Sequence, residues 1–281
     1  MNDHRPGDRH RRASGNRTRL MACSNILFFR MKRGNIVESM NDNDPETYYF
    51  QRIHDSFPKD AIFIIGAGHF GKRAVSILTQ KSDSPISVLD RDEHRLLEIK
   101  EPKLKKIHGD GINFLVENFH LLSPSNIIIP AIPVHLASEW LKKHLDGSLE
   151  LMQIQVPEEI KTFLPHTWLG SEGSLLVSYA DFQCPDDCPE PADYCTVTRK
   201  KRETPLYDLL SQLKPPKFRV HIITSRQLAP GLGGFRVDDL KRLAERVRKE
   251  GVEKWLVGTA CKCHGTVTAL EIHQKDKNRT K

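Results

Sequence analysis

The sequence predicts an α/β protein: a doubly wound parallel sheet, followed by a second, smaller and cysteine-rich α/β domain. Three observations carry this. An apolar run from Ala61 to Ile65 enters a glycine loop, Gly66-Ala67-Gly68-His69-Phe70-Gly71, and a helix-patterned segment with Ala74, Val75, Ile77 and Leu78 follows. A second apolar run, Ile86 to Leu89, ends in Asp90. That acid comes about 20 residues after the loop, where a dinucleotide fold places the group that grips its ribose. Apolar runs then alternate with helical patterns to residue 155, the order of consecutive βαβ units.

In the glycine loop each residue type has a physical task. Gly66 permits a tight turn at positive φ. Gly68 lets the backbone approach a pyrophosphate with no Cβ in the way, and Gly71 lets the helix lie close on the strand. The helix start offers unpaired N–H groups and partial positive charge to phosphate. Ala67, His69 and Phe70 complete the loop. Asp90 suits both ribose hydroxyls of NAD and repels a 2′-phosphate, a preference that Arg91 beside it softens. A glycine turn that only packs a strand on a helix remains the alternative.

The remaining elements follow in order. A lead-in helix is expected over 48–57. Strands are expected at 61–66, 86–90, 105–108, 125–130 and 150–155, with helices at 70–80, 92–99, 112–120 and 134–145. Four of the strand runs are mostly apolar, as strands covered on both faces are. Lys105-Lys106-Ile107-His108 is the exception and reads as an edge. Right-handed crossovers then give the order 3-2-1-4-5, with a cofactor at the carboxyl ends of the first and fourth strands. Pro130 and Pro133 end the fourth strand. His135 follows, either as a proton donor at the nicotinamide end or as a surface histidine.

Three stretches together, GAGHFG, VLDRDEHRLLEI and Gly109-Asp110, resemble the NAD-binding domain of potassium-uptake regulators, the TrkA-N or RCK type. The resemblance covers about residues 61–155. It implies a Rossmann fold that binds NAD through Gly66, Gly68, Gly71 and Asp90, with Asp110 near the adenine side. His69 stands where that family often has Arg, and nothing downstream resembles its TrkA-C ligand domain. The dehydrogenase domain of sirohaem synthesis is a more distant likeness, sharing only the loop and the acid.

From Gly173 the character changes. A strand over 174–178 leads into FQCPDDCPEPADYCTVTRKKR, where Cys184, Cys188 and Cys195 lie among three prolines. Cys261 and Cys263 end a later strand in Cys-Lys-Cys-His-Gly. Clustered thiols in a reducing compartment suit a metal better than a disulfide. The expected ligands are Cys184, Cys188 and Cys195 with Cys261 or Cys263, holding zinc or an iron–sulfur cluster. Free thiols in unrelated loops are the alternative. A helix over 205–213, a strand over 218–224, a glycine-rich turn over 225–234, a helix over 237–249 and strands over 254–259 and 266–272 complete the chain. That turn could take an anion beside Arg226, and it lacks the Lys-Ser/Thr of a nucleotide triphosphate loop.

The chain of 281 residues has a net charge of +7, which misleads. Residues 1–40 carry nine Lys/Arg against three Asp/Glu, leaving the other 241 near neutral at +1. The basicity belongs to an Arg-rich tail over 1–45, expected to be disordered, and the rest gives no case for nucleic acid. No apolar run reaches the roughly 18 residues of a membrane span. No export signal follows the basic start, so the protein is expected in the cytoplasm. The expected domains are 46–165 for NAD, 166–204 for the cysteines and 205–281 for a last α/β unit. Two functional readings follow. One is an NAD(H)-binding regulator with a cysteine-ligated metal. The other is an NAD-dependent oxidoreductase coupled to an iron–sulfur or zinc site. A dinucleotide is the expected partner; a protein partner and a homodimer stay open.

Overall fold

The computed structural model describes residues 56–170, 172–251 and 253–275. The expected basic tail and most of the lead-in helix lie outside them. In chain order the elements are β1 (Ile62–Ile65), α1 (His69–Lys81), β2 (Ile86–Asp90), α2 (Glu93–Glu98), β3 (Lys105–His108), α3 (Gly111–Glu117), β4 (Ile127–Pro130), α4 (Leu136–Leu145) and β5 (Leu149–Ile154). There follow α5 (Glu158–Lys161), β6 (His166–Leu169), β7 (Leu175–Ser178), α6 (Leu206–Ser211), β8 (Phe218–Thr224), β9 (Arg226–Ala229), β10 (Leu232–Arg236), α7 (Val237–Glu250), β11 (Lys254–Ala260) and β12 (His264–Gln274).

The first four strands form the expected parallel order, β3-β2-β1-β4. β1 reads Ile-Phe-Ile-Ile and is buried at every position, as a central strand covered on both faces requires. β3, with alternating half-buried and exposed residues, is the edge.

The fifth place differs from the expected order 3-2-1-4-5. The run over 149–154 leaves this sheet and pairs antiparallel with β12. Its place beside β4 is taken by β10, antiparallel, with β9 outside it. The physical reason lies in burial and backbone clearance. β5 is mostly half-exposed and could not fill a doubly covered position. β10 carries Gly234, where an added Cβ would stand 2.9 Å from the Ile128 carbonyl oxygen, so only glycine lets the two backbones pair so closely. The glycine-rich stretch 225–234 is therefore a β-hairpin turning at Pro230-Gly231, not an anion loop. Arg226 points to Asp239 at 3.3 Å instead.

β5, β6, β7, β8, β11 and β12 make the second sheet, in the order β6-β7-β12-β11-β8 with β5 on the second half of β12. β8 and β11 are parallel and the other pairs antiparallel. Packing explains the layering. α1 and α2 cover one face of the first sheet through Ala74, Val75, Leu78 and Leu96. α4 and α7 lie between the sheets: Trp140, Leu141, Leu145, Leu240 and Leu243 share one core with Phe63 and Ile128 of the first sheet and Trp255 and Leu270 of the second. α6 covers the far face with Leu206 and Leu210. The core between the sheets binds both halves of the described chain into one body.

Candidate functional site

The carboxyl ends of β1 and β2 bring the glycine loop and Asp90 together. Gly66 has φ of +109°, and an added Cβ would overlap the Ala131 carbonyl; at Gly71 it would overlap the Gly66 carbonyl. Both positions are demanded by the protein's own packing. Gly68 is different. Only an Arg95 guanidinium nitrogen, at 4.0 Å, stands near the place of its missing Cβ, so the space above it is open. α1 begins with no side-chain cap and no acid in its first turn. The amides of Gly68, His69 and Phe70 have no hydrogen-bond partner among the described residues, as the first turn of a helix leaves them. These residues fit a diphosphate: bare donors, a helix start and room for close approach.

Asp90 faces this loop. Its Oδ2 accepts the Ala67 N–H at 2.6 Å and its Oδ1 the Asp92 N–H at 2.8 Å. Arg95 stands 4.0 Å from Oδ2, and the side chain is 10% exposed. The acid thus shapes the loop and has lone pairs to spare, since a carboxylate offers about four acceptor sites. Arg91 is largely exposed and pairs with Asp110 across the ends of β2 and β3. Asp110 also caps α3 by accepting the Asn113 N–H at 2.8 Å. Burial works to raise its pKa, but the Asn113 amide and the Arg91 guanidinium hold it below the ordinary carboxylate value.

His135 does not face this site. It is buried at the start of α4, with Nδ1 2.8 Å from Thr268 Oγ1 and Nε2 3.0 Å from Thr259 Oγ1. Burial pushes its pKa down to about 4, so it is a neutral bracket between α4 and the second sheet, not a proton donor to a ligand.

The cysteines form a second feature. Cys184, Cys188, Cys261 and Cys263 line a crevice of about 740 Å³, together with His264, Phe70 and Pro130. Cys195 is not among its lining residues. Cys184 Sγ lies 3.3 Å from His264 Nε2, and Cys261 Sγ lies 3.8 Å from His264 Nδ1. Arg202 donates to Cys263 Sγ. Burial pushes Cys261 up to about 12 and Cys263 up to about 11, and raises Cys184 as well. Cys195 is lowered, chiefly by the Thr198 amide. Among the described residues no group of three or more His, Cys, Asp or Glu side chains is placed to hold a metal ion. The expected zinc or iron–sulfur set therefore finds no support. Four thiols converge on one crevice: Cys184 and Cys261 meet the His264 imidazole, Cys188 the Thr196 hydroxyl and Cys263 the Arg202 guanidinium.

A side-chain pair joins the two features, and no spacing along the chain signals it. His69 of the glycine loop pairs with Asp186 of the cysteine loop, Nε2 to Oδ2 at 2.8 Å.

The loop, the acid and the strand order are those of a Rossmann-like α/β domain, and residues 62–116 match the model of the TrkA-N domain. Residues 137–273 match a model described as the C-terminal domain of an uncharacterized protein. A protein of Archaeoglobus fulgidus, described as uncharacterized, is 31% identical over 225 residues, spanning 74% of this chain and 98% of that protein. The chain belongs to the family of that archaeal protein. No solved structure matches it. Among the described residues no helix is long and apolar enough to cross a membrane.

Proposed function

We propose that this chain is an NAD(H)-binding regulatory protein. The observation that carries the reading is the pairing of an open Gly68 at an uncapped helix start with Asp90 one strand away. The TrkA-N match supports it, since the domain type it names resembles the nucleotide-sensing part of transport regulators. The residues that would hold the cofactor are Gly66, Ala67, Gly68, His69, Phe70 and Gly71 at the diphosphate and Asp90 at the ribose, with Arg91 and Asp110 bounding the adenine side. The regulatory reading stands ahead of the oxidoreductase reading because the cysteine-ligated metal or cluster that the latter was coupled to finds no support among the described residues, and the candidate donor His135 is held by Thr259 and Thr268.

The test is a titration of the purified full-length protein with NADH and NADPH, followed by nucleotide fluorescence. Asp90 should repel a 2′-phosphate, so NADH should bind at least about tenfold more tightly, a difference of about 1.4 kcal/mol. Asp90→Asn should narrow that gap. A protein that binds neither nucleotide sinks the proposal.

A further inference from the structure

The first residue of α1, His69, already holds an acid on its imidazole, and that acid comes from more than 100 residues downstream. Asp186 lies midway between Cys184 and Cys188. Its carboxylate is held on His69, and its own carbonyl oxygen accepts from Arg73, one helical turn further along α1, at 2.8 and 3.2 Å. Arg73 also donates to the Pro230 carbonyl at 2.9 Å. The β9–β10 hairpin closes the other side. The Gly231 N–H donates to the Cys188 carbonyl at 2.8 Å, and Gln227 Nε2 donates to the same oxygen at 2.9 Å. A Cβ at Gly231 would overlap the Asp186 carbonyl oxygen, so the hairpin tip lies directly on this peptide. At the far end of the segment Cys184 rests against His264 in the thiol crevice. The segment 184–188 therefore meets His69 of the glycine loop and Arg73 through Asp186 at its middle and carries a thiol at each end.

We propose that Asp186 competes with the dinucleotide's diphosphate for the mouth of the glycine loop, and that its displacement is passed to Cys184 and Cys188. The proposal rests on the dinucleotide reading above. A diphosphate settling on the amides of Gly68 to Phe70 brings negative charge beside a carboxylate held by His69. Like charges in such proximity oppose each other, and the imidazole that holds the carboxylate belongs to the first residue of the same helix. The His69–Asp186 pair is largely exposed, which makes it weak enough to yield. Ligand and acid thus favour opposite states of the cysteine segment. Linkage makes the effect reciprocal: whatever fixes the segment in place weakens nucleotide binding by the same factor.

The test uses Asp186→Asn in the full chain, which removes the charge and keeps the shape. NADH is titrated into wild type and variant, and the rate of Cys184 alkylation by iodoacetamide is read by peptide mass spectrometry with and without NADH. The variant should bind NADH about tenfold more tightly, within the ordinary range of coupling between sites. NADH should speed Cys184 labelling in wild type and leave it unchanged in the variant. Equal NADH affinities, with wild-type labelling indifferent to NADH, would overturn the coupling and leave the dinucleotide site standing. Binding by the variant alone would support the coupling in its strongest form. Binding by neither protein would overturn the dinucleotide site and the coupling together.

Discussion

Gly66, Gly68 and Gly71 read alike in the sequence and separate in the structure. Gly66 and Gly71 answer to the protein's own backbone; Gly68 has open space where its Cβ would stand. Its φ of −71° suits any residue and its Cβ position is free, so the unliganded fold has no objection to a side chain there. Gly68→Ala should melt within a degree or two of wild type, since open surface positions change stability by no more than about 0.5 kcal/mol. Its affinity for NADH should nevertheless fall by about tenfold or more, about 1.4 kcal/mol. Gly71→Ala should lose about 1–3 kcal/mol of stability through overpacking. Thermal denaturation and nucleotide titration of the two variants separate the roles; equal melting losses would contradict the assignment. The acid was legible at this scale too, since Asp90 ends an apolar run. Its double use was not: the Ala67 amide that it accepts belongs to a neighbouring strand's loop, and no periodicity reports that contact.

Among the elements, α7 and the β9–β10 hairpin are joined by one carboxylate. Asp239 is buried, accepts the Arg236 N–H at 2.8 Å at the start of α7, and pairs with Arg226 of β9 and Arg242 of α7. It holds the hairpin that completes the first sheet. Asp239→Ala should cost about 2–3 kcal/mol, below the usual range for breaking a buried pair because both arginines are half-exposed. A urea midpoint within experimental error of wild type would refute this role. The hairpin itself escaped the sequence reading because strand, glycine-rich turn and helix start look the same whether the turn cradles an anion or folds back on itself. Gly234 against Ile128 decides between them, and that contact lies between segments more than 100 residues apart.

For the whole molecule, acid should loosen the union of its two sheets. His135 joins α4 to β11 and β12 as a neutral group, with its pKa pushed by burial from 6.5 to about 4. Between those values the unfolded chain takes up a proton that the folded chain refuses. Stability is therefore complete above about pH 6.5 and falls as the pH drops toward 4, by about 3 kcal/mol in all. His221, also pushed to about 4 by burial and by Arg246 and Arg242, adds in the same direction. Urea unfolding at pH 7.5 and pH 4.5 should show the loss, and His135→Gln should flatten part of it. A variant with the full wild-type slope would remove His135 from the account.

The sequence by itself determined the parallel order of the first four strands, the edge character of β3, the glycine loop and its acid. All of these rest on local patterns, apolar runs of strand length and turns that need glycine. Only the tertiary structure decided which strand lies beside β4, that His135 is a bracket between α4 and the second sheet, that four of the cysteines share one crevice, and that Asp186 pairs with His69 of the glycine loop. Each of these depends on a contact between distant segments, set by how two sheets bury α4 and α7 between them, and no spacing along the chain encodes such a contact.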